Sequence, residues 1–194
     1  IRYKKMKKRN LIILSMILAS GFHLYAQDED EPKIGGIRGG FHLATMVEDG
    51  SKPDTAKNLS SFYVGLFKDQ KIAKILYWGS GIEYFQNGLK YSKGSNVKMH
   101  TISVPVNLKV KIGPVYGRGG ITANFIVKEK IEYDDKKYDP EKSDKANWFD
   151  SAAFAGVGVD ILFLSVEARY HWGLIDAKNG LHNRYFQLGA TVSF

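Results

Sequence analysis

The stretch Tyr185–Phe194 reads YFQLGATVSF. Phe186, Leu188, Ala190, Val192 and Phe194 fall on one side of an extended chain, and Tyr185, Gln187, Gly189, Thr191 and Ser193 on the other. A repeat of two is the period of a β-strand, because successive side chains point to opposite faces. A strand with one apolar and one polar face separates two environments. The rest of the chain decides which environments they are.

Working outward, seven further segments repeat the alternation, and no amphipathic helix interrupts them. The preceding one sets Val166, Ala168, Tyr170 and Trp172 against Glu167, Arg169, His171 and Gly173. The cleanest opposes Ile102, Val104, Val106, Leu108, Val110 and Ile112 to Thr101, Ser103, Pro105, Asn107, Lys109 and Lys111, a pattern no helix presents. The others are read over Ile34 to Met46, Ser60 to Lys68, Ala73 to Gln86, Val115 to Lys128 and Trp148 to Ile161. Connections after the first, third, fifth and seventh strands are long and polar: VEDGSKPDTAKN, NGLKYSKGSN, YDDKKYDPEKSDKAN and IDAKNGLHN. Those after the second (DQK), the fourth (Gly113 and Pro114) and the sixth (Leu162 to Leu164) are short. Transmembrane barrels show this asymmetry, with short periplasmic turns, long external loops and an even strand number. The expectation is an all-β, eight-stranded antiparallel up-and-down transmembrane barrel over residues 34–194, since closure removes the exposed edges.

The first residues read as a cleavable secretory signal peptide over 1–26. Arg2, Lys4, Lys5, Lys7, Lys8 and Arg9 precede the apolar run LIILSMILA, which is too short for a spanning helix of about 20 residues. An acidic periplasmic linker is expected over 27–33, around Asp28 to Glu31. The formal net charge of +8 reflects mainly this leader. Six of the 28 basic residues and none of the 20 acidic ones precede Gln27, leaving +2 on the remainder, so nucleic-acid binding has no support. The absence of Cys excludes a lipid anchor at the cleavage site, a disulfide framework and thiolate chemistry.

A soluble eight-stranded carrier of the lipocalin type would bury the same apolar face, so the two barrels must be separated. Three features favour lipid outside. The sequence runs to its last residue on the strand itself, without a following helix to cap a soluble barrel. The polar face carries Gly and charges of both signs, Arg38, Glu83, Lys109, Lys111, Arg118, Lys128, Asp160, Glu167 and Arg169, which would pair as a lumen charge network. Aromatic residues fall near strand ends on the apolar face: Trp78, Phe163 and Phe194 at the short-turn side, and Tyr84, Trp148, Tyr170, Trp172 and Phe186 at the long-loop side. Such girdles suit the two membrane interfaces. A terminal aromatic such as Phe194 also resembles the signature that the outer-membrane barrel-assembly machinery recognises.

The segments GGIRGGFHLATM, FYVGLF, GSGIEYFQNGLKYS and QLGATVSF resemble the PorT-like outer-membrane β-barrel family of the Bacteroidota, over nearly the whole chain after the leader. The resemblance implies an eight-stranded barrel in the bacterial outer membrane. Some members are tied to a protein-secretion apparatus, and no catalytic motif carries over.

An eight-stranded barrel is just wide enough for side chains to fill it, so the lumen is expected to be a salt-bridged plug, with a narrow porin-like channel as the alternative. His42 and His171 lie on the polar face without a nucleophile motif and read as wall residues; no enzyme, cofactor or metal site is expected. Asp134, Asp135, Asp139, Glu141 and Asp144 lack the Gly and closing Glu of a calcium loop and read as a solvated loop, with Tyr133 and Tyr138 at its tip. The expected partners are outer-membrane lipid and lipopolysaccharide, the assembly machinery, and a protein met through the external loops or the periplasmic rim.

Overall fold

The structure is a computed structural model that describes residues 33–47, 56–91, 96–133, 136–138, 147–176 and 181–194. The predicted leader over 1–26, most of the linker and the acidic positions Asp134 to Asp144 lie outside the described residues. Nine strands are described: β1 (Lys33–Val47), β2 (Ala56–Lys71), β3 (Leu76–Tyr91), β4 (Asn96–Ile112), β5 (Val115–Tyr133), β6 (Lys136–Tyr138), β7 (Phe149–Ile161), β8 (Leu164–Gly173) and β9 (His182–Ser193). Neighbours pair antiparallel, β1 pairs with β9, and β4 pairs with β5, so eight strands close into a barrel with β6 added to the end of β5.

The alternation read from the sequence sorts inside from outside. Ile37, Phe41, Phe62, Val64, Leu66, Ile82, Leu108, Val110, Val157, Val166, Leu188 and Val192 are exposed on the outer wall. Arg38, His42, Glu83, Asn107, Arg118, Glu167, Arg169 and Gln187 are buried in the lumen. This is an inside-out core, the arrangement that lipid rather than water outside would favour.

Three differences from the sequence reading have physical causes. First, the strands continue past their apolar stripes. DQK belongs to β2, and the turn falls at residues 72–75, where Ile72 and Ala73 N–H groups donate to the Leu76 carbonyl. Second, much of NGLKYSKGSN is ladder rather than loop, with Asn87 to Lys90 facing Met99 to Asn96. Gly88 permits this bend with φ of 138°, and a Cβ there would run into the Val97 carbonyl. Third, β5 carries one extra residue. His100 pairs with Lys128 while Thr101 pairs with Ile126, so Val127 is a bulge. A bulge inverts the alternation beyond it. Lys128, expected in the lumen, is therefore exposed on the outer wall.

Strands β2 to β5 are 16 to 19 residues long, and β8 is 10. About 9–11 residues span a bilayer in such a barrel, so β2 to β5 rise past the apolar band as an external sheet while β8 is only long enough to cross.

Candidate functional site

The half of the lumen nearest the short turns holds a connected ion cluster. Glu167 of β8 accepts contacts from three guanidinium groups: Arg118 Nε at 2.7 Å, Arg169 Nε at 3.0 Å and Arg38 Nη1 at 3.9 Å. Arg169 also donates to Glu83 Oε1 at 2.8 Å, and Arg38 Nε lies 3.5 Å from the same oxygen. Lys109 and Arg118 sit directly opposite each other on β4 and β5, a repulsive arrangement by itself. Asp69 Oδ2 resolves it by taking Lys109 Nζ at 3.4 Å and Arg118 Nη2 at 3.3 Å. At the rim, Lys111 reaches Asp160 Oδ2 at 2.5 Å, with Ser165 Oγ on the other carboxylate oxygen at 2.7 Å.

Glycine makes this packing possible. Several of the charged side chains lie across a glycine on a neighbouring strand: Glu83 over Gly65, Arg169 over Gly156, and Asp69, with the amide of Asn107, against Gly79. Tyr116 covers Gly158, and Tyr63 covers Gly189. The two tyrosine rings face the cations in turn, with Lys109 Nζ 4.0 Å and Arg118 Cζ 5.3 Å from the Tyr116 centroid and Arg169 Cζ 5.2 Å from that of Tyr63. Arg38 lies 4.6 Å over Phe67.

The half nearest the long loops is built differently. His171 stacks on Tyr185 at 4.1 Å and on Phe154 at 4.9 Å, and His42 stacks on Phe85 at 4.7 Å. Asn87 Oδ1 is 3.0 Å from His42 Nε2, and the Gln187 amide is 3.3 Å from His42 Nδ1. Above the rings, Asp150 accepts from Asn183 at 2.8 Å and from Asn124 at 3.5 Å. Ala44, Met46, Leu59 and Met99 complete the filling.

Residues 14–194 match the family model described as the outer membrane protein beta-barrel domain. The chain belongs to that family. Its place is the bacterial outer membrane. Among solved structures, Ail, the attachment invasion locus protein of Yersinia pestis, solved with the heparin analogue sucrose octasulfate, is similar at 19% identity, with a TM-score of 0.52, covering 84% of this chain and 99% of Ail. Neisserial surface protein A is similar at 13% identity, with a TM-score of 0.52, covering 82% of this chain and 95% of its own. A comparison with curated proteins gives no match.

For this outer-membrane barrel, the structure gathers eight of the nine residues expected in the charge network. Arg38, Glu83, Arg118, Glu167 and Arg169 form the buried centre, Lys109 joins it, and Lys111 and Asp160 lie at the rim. Lys128 stands outside because of the bulge at Val127. Asp69, wholly buried, is a member the sequence reading missed, because the apolar stripe of β2 ends before it and DQK looks like a turn. Of the aromatic positions, Trp78, Trp148, Tyr170 and Trp172 are exposed on the outer wall, and Tyr84 and Phe186 are half-buried. Tyr170 and Trp172 meet edge to face at 4.8 Å, and Trp148 contacts Phe125 and Phe149. Phe194 is exposed beyond β9, with its N–H donated to the Gly35 carbonyl at 2.9 Å. Among the described residues no group of three or more His, Asp or Glu side chains is arranged to hold a metal.

Proposed function

We propose that this outer-membrane barrel is a structural or partner-binding component whose lumen is closed and whose work is done on its surfaces. The observation that carries the reading is the 2.8 Å bond from Arg169 to Glu83. In the closed ring of strands β8 and β3 are diametrically opposite, with β9, β1 and β2 between them on one side. A charge-assisted bond between opposite walls crosses the lumen, and the side chains around it are buried. Opening a path would leave buried ions unpaired, at a cost of several kcal/mol per ion. His42 and His171 support a non-enzymatic reading, because both are packed into ring stacks and His42 is engaged on both nitrogens.

The external sheet formed by the long β2 to β5 and by β6 is the natural partner surface, since it stands clear of the bilayer and carries loop residues at its tip. The motifs GGIRGGFHLATM and QLGATVSF favour the PorT-like branch from the Bacteroidota, and with it a partner in a secretion apparatus. Phe194 would serve as the signal for the assembly machinery. Planar-bilayer recording tests the closed lumen. The purified protein is expected to give no steady single-channel current, and a reproducible conductance step would replace the plug with a narrow channel.

A further inference from the structure

Four carboxylates are buried among the described residues, and their surroundings differ. Asp69, Glu83 and Glu167 each meet at least two basic side chains. Asp150 meets none of the described lysines and arginines; its partners are the side-chain amides of Asn183 at 2.8 Å and Asn124 at 3.5 Å, both on Oδ2. His182, the neighbour of Asn183, turns its Nε2 to the exposed Asp176 at 3.0 Å. The acceptors around Asp150 outnumber the donors. Because both amides point their N–H groups at Oδ2, their own oxygens are left to accept. Asn124 Oδ1, Asn183 Oδ1 and Asp150 Oδ1 are all buried without a well-aligned donor. The Ser151 N–H at the carboxyl and the Tyr185 hydroxyl at Asn124 offer only weak bonds. Three buried oxygens around one uncompensated charge are costly unless a donor or a cation completes the set.

The register of the strands brings these oxygens together. Asn124 sits directly opposite Asp150 across β5 and β7. The last pair of β7 with β8 is Ala152 with Gly173, so Asp150 lies past the end of β8, and Asn183 of β9 reaches it over that end. Gly173 leaves room for the crossing, since a Cβ on it would meet the Asn183 backbone. We infer that Asp150, Asn124 and Asn183 bind a small monovalent cation, sodium, in the loop-side half of the lumen. Hard cations take carboxylate and amide oxygens, and water supplies further ligands where the protein does not. The charge of the site selects the valence. One carboxylate balances one positive charge, whereas a divalent ion would stay half-compensated in a buried place. The oxygens belong to groups already in hydrogen-bond contact with one another, which suits sodium better than the larger potassium. The site lies above the ring stacks and holds whether or not the lumen below them conducts.

The test is urea unfolding of the full-length protein, assembled in zwitterionic lipid vesicles above neutral pH in sodium, potassium, calcium or N-methyl-D-glucamine chloride at matched ionic strength. Raising sodium from ~1 to ~100 mM is expected to lift the urea midpoint by roughly 0.5 M, and potassium to lift it by less than half as much. Asp150→Asn keeps the shape and should abolish the dependence. Asn124→Asp supplies a second charge and should transfer the response from sodium to calcium, a change of selectivity that a merely structural asparagine would not give. Equal midpoints in sodium and N-methyl-D-glucamine, or a sodium response retained by Asp150→Asn, would overturn the site and leave a water or a proton among the oxygens. A wild-type response to calcium alone would overturn the monovalent assignment. If Asp150→Asn does not assemble, Asn124→Asp decides the location, and an unchanged sodium preference there would overturn it.

Discussion

The two halves of the lumen face the same problem and solve it in opposite ways. Near the short turns, Arg38, Lys109, Arg118 and Arg169 are held by Asp69, Glu83 and Glu167 through contacts that reach across the barrel. Near the long loops, the space is filled by the rings of His42, Phe85, Phe154, His171 and Tyr185 and by the amides around Asp150. The first half is a set of mutual dependences, since each ion is tolerated only because its partners are present. The second is a packing of surfaces that tolerates replacement by shape. Changes of similar size should therefore have unequal consequences in the two halves.

The largest effect is expected at Glu167, which touches three guanidinium groups. Glu167→Gln keeps the volume and removes the charge, leaving those cations buried with too few anions. Removing one partner of a buried pair typically costs ~3–5 kcal/mol, and the loss should appear in urea unfolding of the barrel in phospholipid vesicles. A loss below ~1 kcal/mol would break the comparison, because the ions would then be no more interdependent than the rings.

A smaller effect tests the glycine cradle. A Cβ on Gly158 meets the Tyr116 ring and hydroxyl, so Gly158→Val must displace the tyrosine from between Lys109 and Arg118. Overpacking of this kind costs ~1–3 kcal/mol. Gly117→Val is the control: it lies between two inward positions, and its Cβ would find only the Gly156 carbonyl at 3.9 Å. It should unfold at nearly the wild-type urea concentration. Equal losses at the two positions would mean that backbone entropy, not the fit of Tyr116, sets the need for glycine.

The legibility of the two halves in the sequence differs for the same reason. Alternation placed Arg38, Glu83, Arg118, Glu167 and Arg169 on one face, and charge in a narrow barrel has to pair, so the ion cluster was readable before its geometry. Two of its details were not. Asp69 lies past the end of an apolar stripe, where a strand and a turn look alike. Lys128 follows the pattern perfectly and is displaced by one inserted residue, which no local signal marks. The ring half left weaker traces. His42 and His171 stood among other polar residues, and their meeting with Phe85 and Tyr185 depends on the register of β1, β3, β8 and β9, a non-local property.

The smallest expected effect probes the tolerant half. Neither ring nitrogen of His171 makes a well-aligned hydrogen bond: Gln187, whose amide lies 3.3 Å from His42 Nδ1, offers it only a weak one. What the side chain contributes is its flat surface, pressed on Tyr185 and Phe154. His171→Phe keeps that surface and removes two buried polar atoms, so stability should stay within ~1 kcal/mol of wild type or rise. The same vesicle unfolding experiment measures it. A loss above ~2 kcal/mol would show that His171 holds a polar bond the ring cannot replace. The upper lumen would then be a second network of dependences, and the contrast between the halves would dissolve. A neutral result beside a severe one at Glu167 would locate the barrel's rigidity in the ion cluster, the layer whose Arg169 bridges opposite walls.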